Sequence, residues 1–134
     1  MKVSNDDFRQ YLDEVEKLIE DEKSKFKLAK IILKKRFTFD DINSTLTEKR
    51  RAFDYAFTTC TMRYSLGGGN IRENLDHIWD INNKEIDLWT KKNYNMLTPT
   101  LTIGVESYLI FAHFEKIWTS YLDGVLSLAK GFKS

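Results

Sequence analysis

One cysteine, one proline and a nearly even charge balance leave several function classes without a foothold in this 134-residue chain. The lone Cys60 cannot close an intramolecular disulfide, so packing must hold the fold and a reducing compartment is expected. Two distant histidines, His77 and His113, and that one thiol give no metal-ligand spacing, so neither a metal nor a cofactor is expected. Lysine and arginine number 21 against 20 aspartate and glutamate. A net charge of +1 sets up no field that would gather nucleic acid, which is therefore not an expected partner. No apolar run approaches the roughly 20 residues of a membrane helix, so no membrane association is expected. Met1 to Asp7 is polar and acidic, unlike a secretory leader, and a cytoplasmic location is the expectation.

What the chain does have is apolar periodicity. It is 42 % hydrophobic and 13 % aromatic, and its length suits one domain, 1–134, that buries its core without covalent staples. Phe8, Tyr11, Leu12, Val15, Leu18 and Ile19 recur at helical spacing behind a start at Ser4 or Asn5, with Asp6 and Asp7 suited to a first turn. The pattern continues through Phe26, Ala29, Ile32 and Leu33, with a basic end from Lys25 to Lys35 that reads as a solvated face. Phe37 to Leu46, rich in Thr, Asp, Asn and Ser, reads as a break, and Thr47 as the cap of the next helix.

That second helix carries Ala52, Phe53, Ala56, Phe57, Cys60 and Tyr64 on one stripe, with Met62 slightly off line. Gly67, Gly68 or Gly69 is expected to supply its left-handed C-terminal cap. Asn70 should cap a third helix, with Glu73 in its first turn. Ile71, Leu75, Ile78, Trp79, Ile86 and Trp89 form the apolar stripe there, leaving Asp76, Asp80, Asn82, Asn83, Lys84 and Asp87 to water. Lys91 to Thr102, around Pro99, reads as a loop. The last helix, about Val105 to Lys130, is apolar over most of its circumference and should be central in the fold or face something outside this chain. The expected class is an all-α bundle of four helices, or five if the first breaks near Lys23, with up-down connections.

Chemistry-bearing patterns are sparse. Arg72-Glu73-Asn74-Leu75-Asp76-His77 places a histidine five residues after an arginine and resembles the signature of HEPN ribonucleases and their antitoxin relatives. That resemblance implies His77 as general acid or base and Arg72 as the neutraliser of a phosphate. Five residues turn an α-helix by about 500°, which sets the two about 140° apart, so they converge only through the arginine's reach or across a homodimer. Glu73, directly after the arginine, is unfavourable to a phosphate. Surface residues of an amphipathic helix are the preferred reading. Gly67-Gly68-Gly69 follows a helix and lacks the lysine of a phosphate loop, so it reads as a turn. Cys60 falls on a packing stripe, and His113 stands alone among aromatics. The acidic row Asp76, Asp80 and Asp87 reads as a solvated face, of interest if a basic partner exists.

One wider resemblance runs through Tyr64-Ser65-Leu66-Gly67, Ile71-Arg72-Glu73-Asn74-Leu75 and Ile86-Asp87-Leu88-Trp89. A helix ending in Tyr-Ser-x-Gly, a short polar turn, an Ile-x-x-x-Leu helix and a Leu-Trp close resemble the N-terminal part of PoNi-type immunity proteins. Asp7-Phe8-Arg9-Gln10-Tyr11-Leu12 is similar to that family's first helix, and Tyr121 to Ala129 to the start of its second helical half. The resemblance implies a non-enzymatic protein that binds a cognate toxin domain of the nuclease class. Because the family runs longer, it also implies a chain that is either a short member or the N-terminal part of a two-part helical protein. Carboxylates that stand in for phosphates are the expected contacts: Glu73, Asp76, Asp80 and Asp87. The alternatives are a HEPN-like ribonuclease or antitoxin acting through Arg72 and His77, and a phage or plasmid helical adaptor.

Overall fold

In the computed structural model, residues 3–32, 39–92 and 105–132 are described, with side chains described over 3–26, 46–82, 84, 112 and 114–132. The described residues form four α-helices and no strand: α1 (Asn5–Ile32), α2 (Phe39–Arg63), α3 (Ile71–Lys92) and α4 (Val105–Lys130). The all-α expectation holds, and α1 runs through Lys23 without a break. The Ser4 hydroxyl accepts the Asp7 amide at 3.1 Å, and Asp6 and Asp7 place negative charge at the positive end of the helix.

α4 is the centre of the fold. It packs most extensively against α1 and α3 and also meets α2, while α1 packs on α2. Phe114, Ile117, Trp118, Tyr121, Leu122, Val125 and Ala129 are all buried, which accounts for a helix apolar nearly all round. Gly124 lets α3 approach closely: a Cβ there would lie 2.8 Å from the Ile78 side chain. From α1, Phe8, Tyr11, Val15, Ile19 and Phe26 complete the core; from α2, Leu46, Phe53, Phe57 and Cys60; from α3, Ile71, Leu75 and Trp79.

Aromatic rings tie three helices at the centre. Trp79 of α3 meets Tyr121 of α4 edge-on at 5.1 Å between centroids, and Phe53 of α2 meets Trp118 of α4 at 6.1 Å. Such edge contacts add about 0.5–1.5 kcal/mol to the area term. Below them Tyr11 and Thr61 share a buried hydrogen bond of 2.7 Å, and burial pushes the Tyr11 phenol up to about 12.

Local expectations are corrected in five places. The second helix begins at Phe39, so Thr47 lies inside it and not at its start. The polar run 40–45 contains neither glycine nor proline, and Asp40 and Asp41 follow the start directly, where negative charge favours a helix N-terminus. The residue that ends α2 is Ser65, at φ 57°, and not a glycine. Leu66 N–H donates to the Thr61 carbonyl at 3.0 Å and Ser65 N–H to that of Met62 at 2.9 Å, the paired bonds of a Schellman turn. Gly67 and Gly68, both at positive φ, then reverse the chain, and a Cβ on Gly67 would lie 2.5 Å from Ile71 Cδ1. Asn70 closes a 3-10 turn, Gly68–Asn70, that runs straight into α3. Last, Asn82 is buried, its amide donating to the Ile78 carbonyl at 3.0 Å, and Met62 is 60 % exposed. The expected loop around Pro99 and the side chains of Ile86, Trp89, His113 and Lys27 to Lys35 lie outside the described residues.

Candidate functional site

α3 has two faces. Taking about 100° per residue, Ile71, Leu75, Ile78, Trp79 and Asn82 occupy one arc and turn inward. The opposite arc carries, in order around the helix, Arg72, Asp76, Asp80, Glu73, Lys84, His77 and Ile81, every one of them exposed. Glu73, Asp76 and Asp80 are thus adjacent and form a carboxylate ridge. Ile81, 54 % exposed, adds apolar surface at its far edge. Asp87 lies outside the residues whose side chains are described.

Asp76 has a second role. Its Oδ1 accepts from Arg50 Nη2 at 2.5 Å, while Arg50 Nε donates to Asp54 Oδ2 at 3.0 Å. Asp54 in turn accepts the Tyr121 hydroxyl on Oδ1. The Arg50 guanidinium also stands 5.2 Å from the Trp79 ring centroid and 5.8 Å from that of Tyr121, within cation–π range. A chain of polar contacts therefore joins α4, α2 and α3 at the edge of the core. Burial pushes the Asp54 carboxyl above the usual aspartate range, against the opposing pull of the Tyr121 hydroxyl and of Arg50. The Tyr121 phenol is raised too, by burial first and then by the Asp54 charge. Of these residues only Asp76 stands out in the sequence as a site, as a partner contact; the local signal for the rest is the Arg50/Asp54 pair at i,i+4 on a helix.

Beside this network α2 and α3 leave a cleft of about 440 Å³. Arg50, Arg51, Asp54, Tyr55 and Thr58 line it from α2, and Arg72, Leu75 and Asp76 from α3. Arg72 belongs to the cleft, whereas His77 is absent from its lining and lies further round α3. Within one chain the Arg72/His77 pair is not brought together.

A second cleft, between α1 and α2, surrounds a different cluster. Glu14 Oε2 accepts from Arg63 Nη2 at 2.8 Å and from the Cys60 thiol at 3.3 Å. Burial pushes the Cys60 thiol up, which keeps it protonated and a poor nucleophile. Among the described residues no group of three or more His, Cys, Asp or Glu is gathered as a metal site would need, and no helix is long and apolar enough to cross a membrane.

No known protein family, curated protein or solved structure matches the chain.

Proposed function

We propose that this protein is a non-catalytic binding module of the immunity type, which covers the working surface of a cognate toxin domain. The observation that carries the reading is the carboxylate ridge of α3. Glu73 and Asp80 are exposed and make no ion pair or hydrogen bond among the described residues, so both charges are free for a partner. A nuclease presents cationic side chains where phosphates lie, and three adjacent carboxylates on a rigid helix offer a complementary pattern. The near-neutral whole does not oppose this, because charges more than about 10 Å away are largely screened at physiological salt. Ile81 supplies an apolar contact beside the charges. The likeness of residues 64–75 to PoNi-type proteins points the same way and favours a cytoplasmic, bacterial setting.

The experiment is protection in bacterial cells that express a candidate toxin domain of the nuclease class. Glu73 and Asp80 are the cleaner probes, since Asp76 also holds Arg50. Glu73→Lys combined with Asp80→Lys should abolish protection while leaving the circular dichroism spectrum unchanged and lowering Tm by only a few degrees, since Glu73 lies in the first turn of α3. Full protection by that variant would reject the ridge as the contact surface.

A further inference from the structure

We propose that the cleft between α2 and α3 binds a small organic oxyanion, held through its phosphate or carboxylate group between Arg51 and Arg72. This goes beyond the α3 ridge and does not rest on it.

The cleft contains three guanidinium groups and two carboxylates. Arg50 is already committed, donating to both Asp54 and Asp76 and lying over two aromatic rings. Those contacts occupy the two carboxylates as well, because Asp54 also accepts from Tyr121. Arg51 and Arg72 are what remains. Both are exposed, they come from different helices into the same cleft, and neither makes an ion pair or hydrogen bond among the described residues. The three cations against two anions leave one net positive charge, and it resides on side chains with unused donors. A planar guanidinium fork matches the paired oxygens of phosphate or carboxylate, which a lysine in the same place would not do. The Thr58 hydroxyl is a third available donor in the lining.

Size and wall chemistry refine the ligand. A cleft of about 440 Å³ exceeds what an inorganic ion fills and lies within the range of small-molecule sites. Leu75 forms apolar lining, and Tyr55, 77 % exposed at the rim, offers a ring face with nothing packed on most of it. An oxyanion carrying a flat or apolar body would use both halves of the site. The Asp54–Tyr121 bond and the two aromatic rings under Arg50 keep the floor fixed, so the loose groups that must be ordered on binding are Arg51, Arg72 and Tyr55.

Three probes distinguish the anion and the body: inorganic phosphate, phenyl phosphate and benzoate, each titrated at constant ionic strength and followed by amide NMR and calorimetry. The proposal expects phenyl phosphate or benzoate, whichever oxyanion the site prefers, to bind more tightly than inorganic phosphate. Amide shifts should concentrate in residues 51–58 of α2 and 72–76 of α3. Arg51→Ala with Arg72→Ala should weaken binding at least about tenfold, and Arg9→Ala, on the exposed face of α1, should not. Arg51→Lys with Arg72→Lys, which keeps the charge, should recover only part of the affinity. The proposal is overturned if no probe shifts the amides of both helices, or if the double alanine variant binds as the unaltered protein does. Since Glu73 and Asp80 are untouched in these variants, failure here leaves toxin protection intact, and the Glu73→Lys/Asp80→Lys variant, which keeps Asp76 and the cleft lining, retains anion binding.

Discussion

Removing one oxygen from the centre of the fold tests whether the polar chain between α4 and α3 stabilises the protein. Tyr121 is fully buried, and its hydroxyl donates to Asp54 Oδ1 at 2.5 Å. Tyr121→Phe keeps the ring, and with it the edge contact to Trp79 and the position under Arg50. What is lost is one hydrogen bond to a carboxylate, a class worth about 1.5–3 kcal/mol. Asp54 retains Arg50 and its side chain is 19 % exposed, so water recovers part of the loss and the lower end applies, about 1.5–2 kcal/mol. For a chain of this length about 4 °C of Tm accompanies each kcal/mol, which predicts a fall of about 6–8 °C. Urea titration followed by far-UV circular dichroism gives the free energy, and calorimetry gives Tm. A cycle with Asp54→Ala should show coupling of about 1 kcal/mol or more between the two positions. A Tyr121→Phe protein as stable as its parent, or strict additivity in the cycle, would refute the network as a source of stability.

Three further outcomes follow from the same structure. Because burial raises the Asp54 carboxyl above its ordinary range, the folded chain holds that proton more firmly than the unfolded chain does. Its contribution to stability is therefore present at acid pH and declines as pH rises from the ordinary aspartate range through the folded value; the stability of Asp54→Asn relative to the parent should improve across that window, and a difference that is flat with pH would contradict the assignment. Ser65→Gly should stabilise the protein by about 1 kcal/mol, since only the φ of 57° is relieved and no contact is lost, and a lower urea midpoint would refute the Schellman reading of the α2 terminus. His77→Ala should leave fold and toxin protection unchanged. An RNA-cleaving activity in the purified protein that this substitution abolishes would establish the HEPN-like alternative in place of the immunity reading.

Legibility in the sequence divided along physical lines. α4 was readable to its ends, Val105 and Lys130, because a dense apolar pattern needs only local periodicity to be seen. The exposure of Glu73, Asp76 and Asp80 was readable for the same reason. The start of α2 was not. Asp, Asn, Ser and Thr are individually weak helix formers, but a run of them is compatible with a helix N-terminus when neither glycine nor proline interrupts it. By residue type the glycines after Leu66 are stronger left-handed candidates than Ser65, although a serine can take that position at modest cost when the Schellman bonds form. The polarity of Asn82 predicts a place in water, and its bond to the Ile78 carbonyl is what lets it face inward. Hardest to see was the link from Tyr121 to Asp54, which joins residues 67 apart in sequence. Nothing local marks such a partner. The cleft beside it depends on how α2 and α3 diverge, a property of tertiary packing that periodicity does not encode.

Hydrogen exchange on α3, measured with and without a candidate toxin domain of the nuclease class, tests the binding-module reading most directly. Slowed exchange concentrated between residues 71 and 84, with formation of a stable complex and no turnover of nucleic acid by the protein alone, is the predicted result. A complex whose protection lies wholly on α1 or α4, or the absence of any complex at micromolar concentrations, would contradict it.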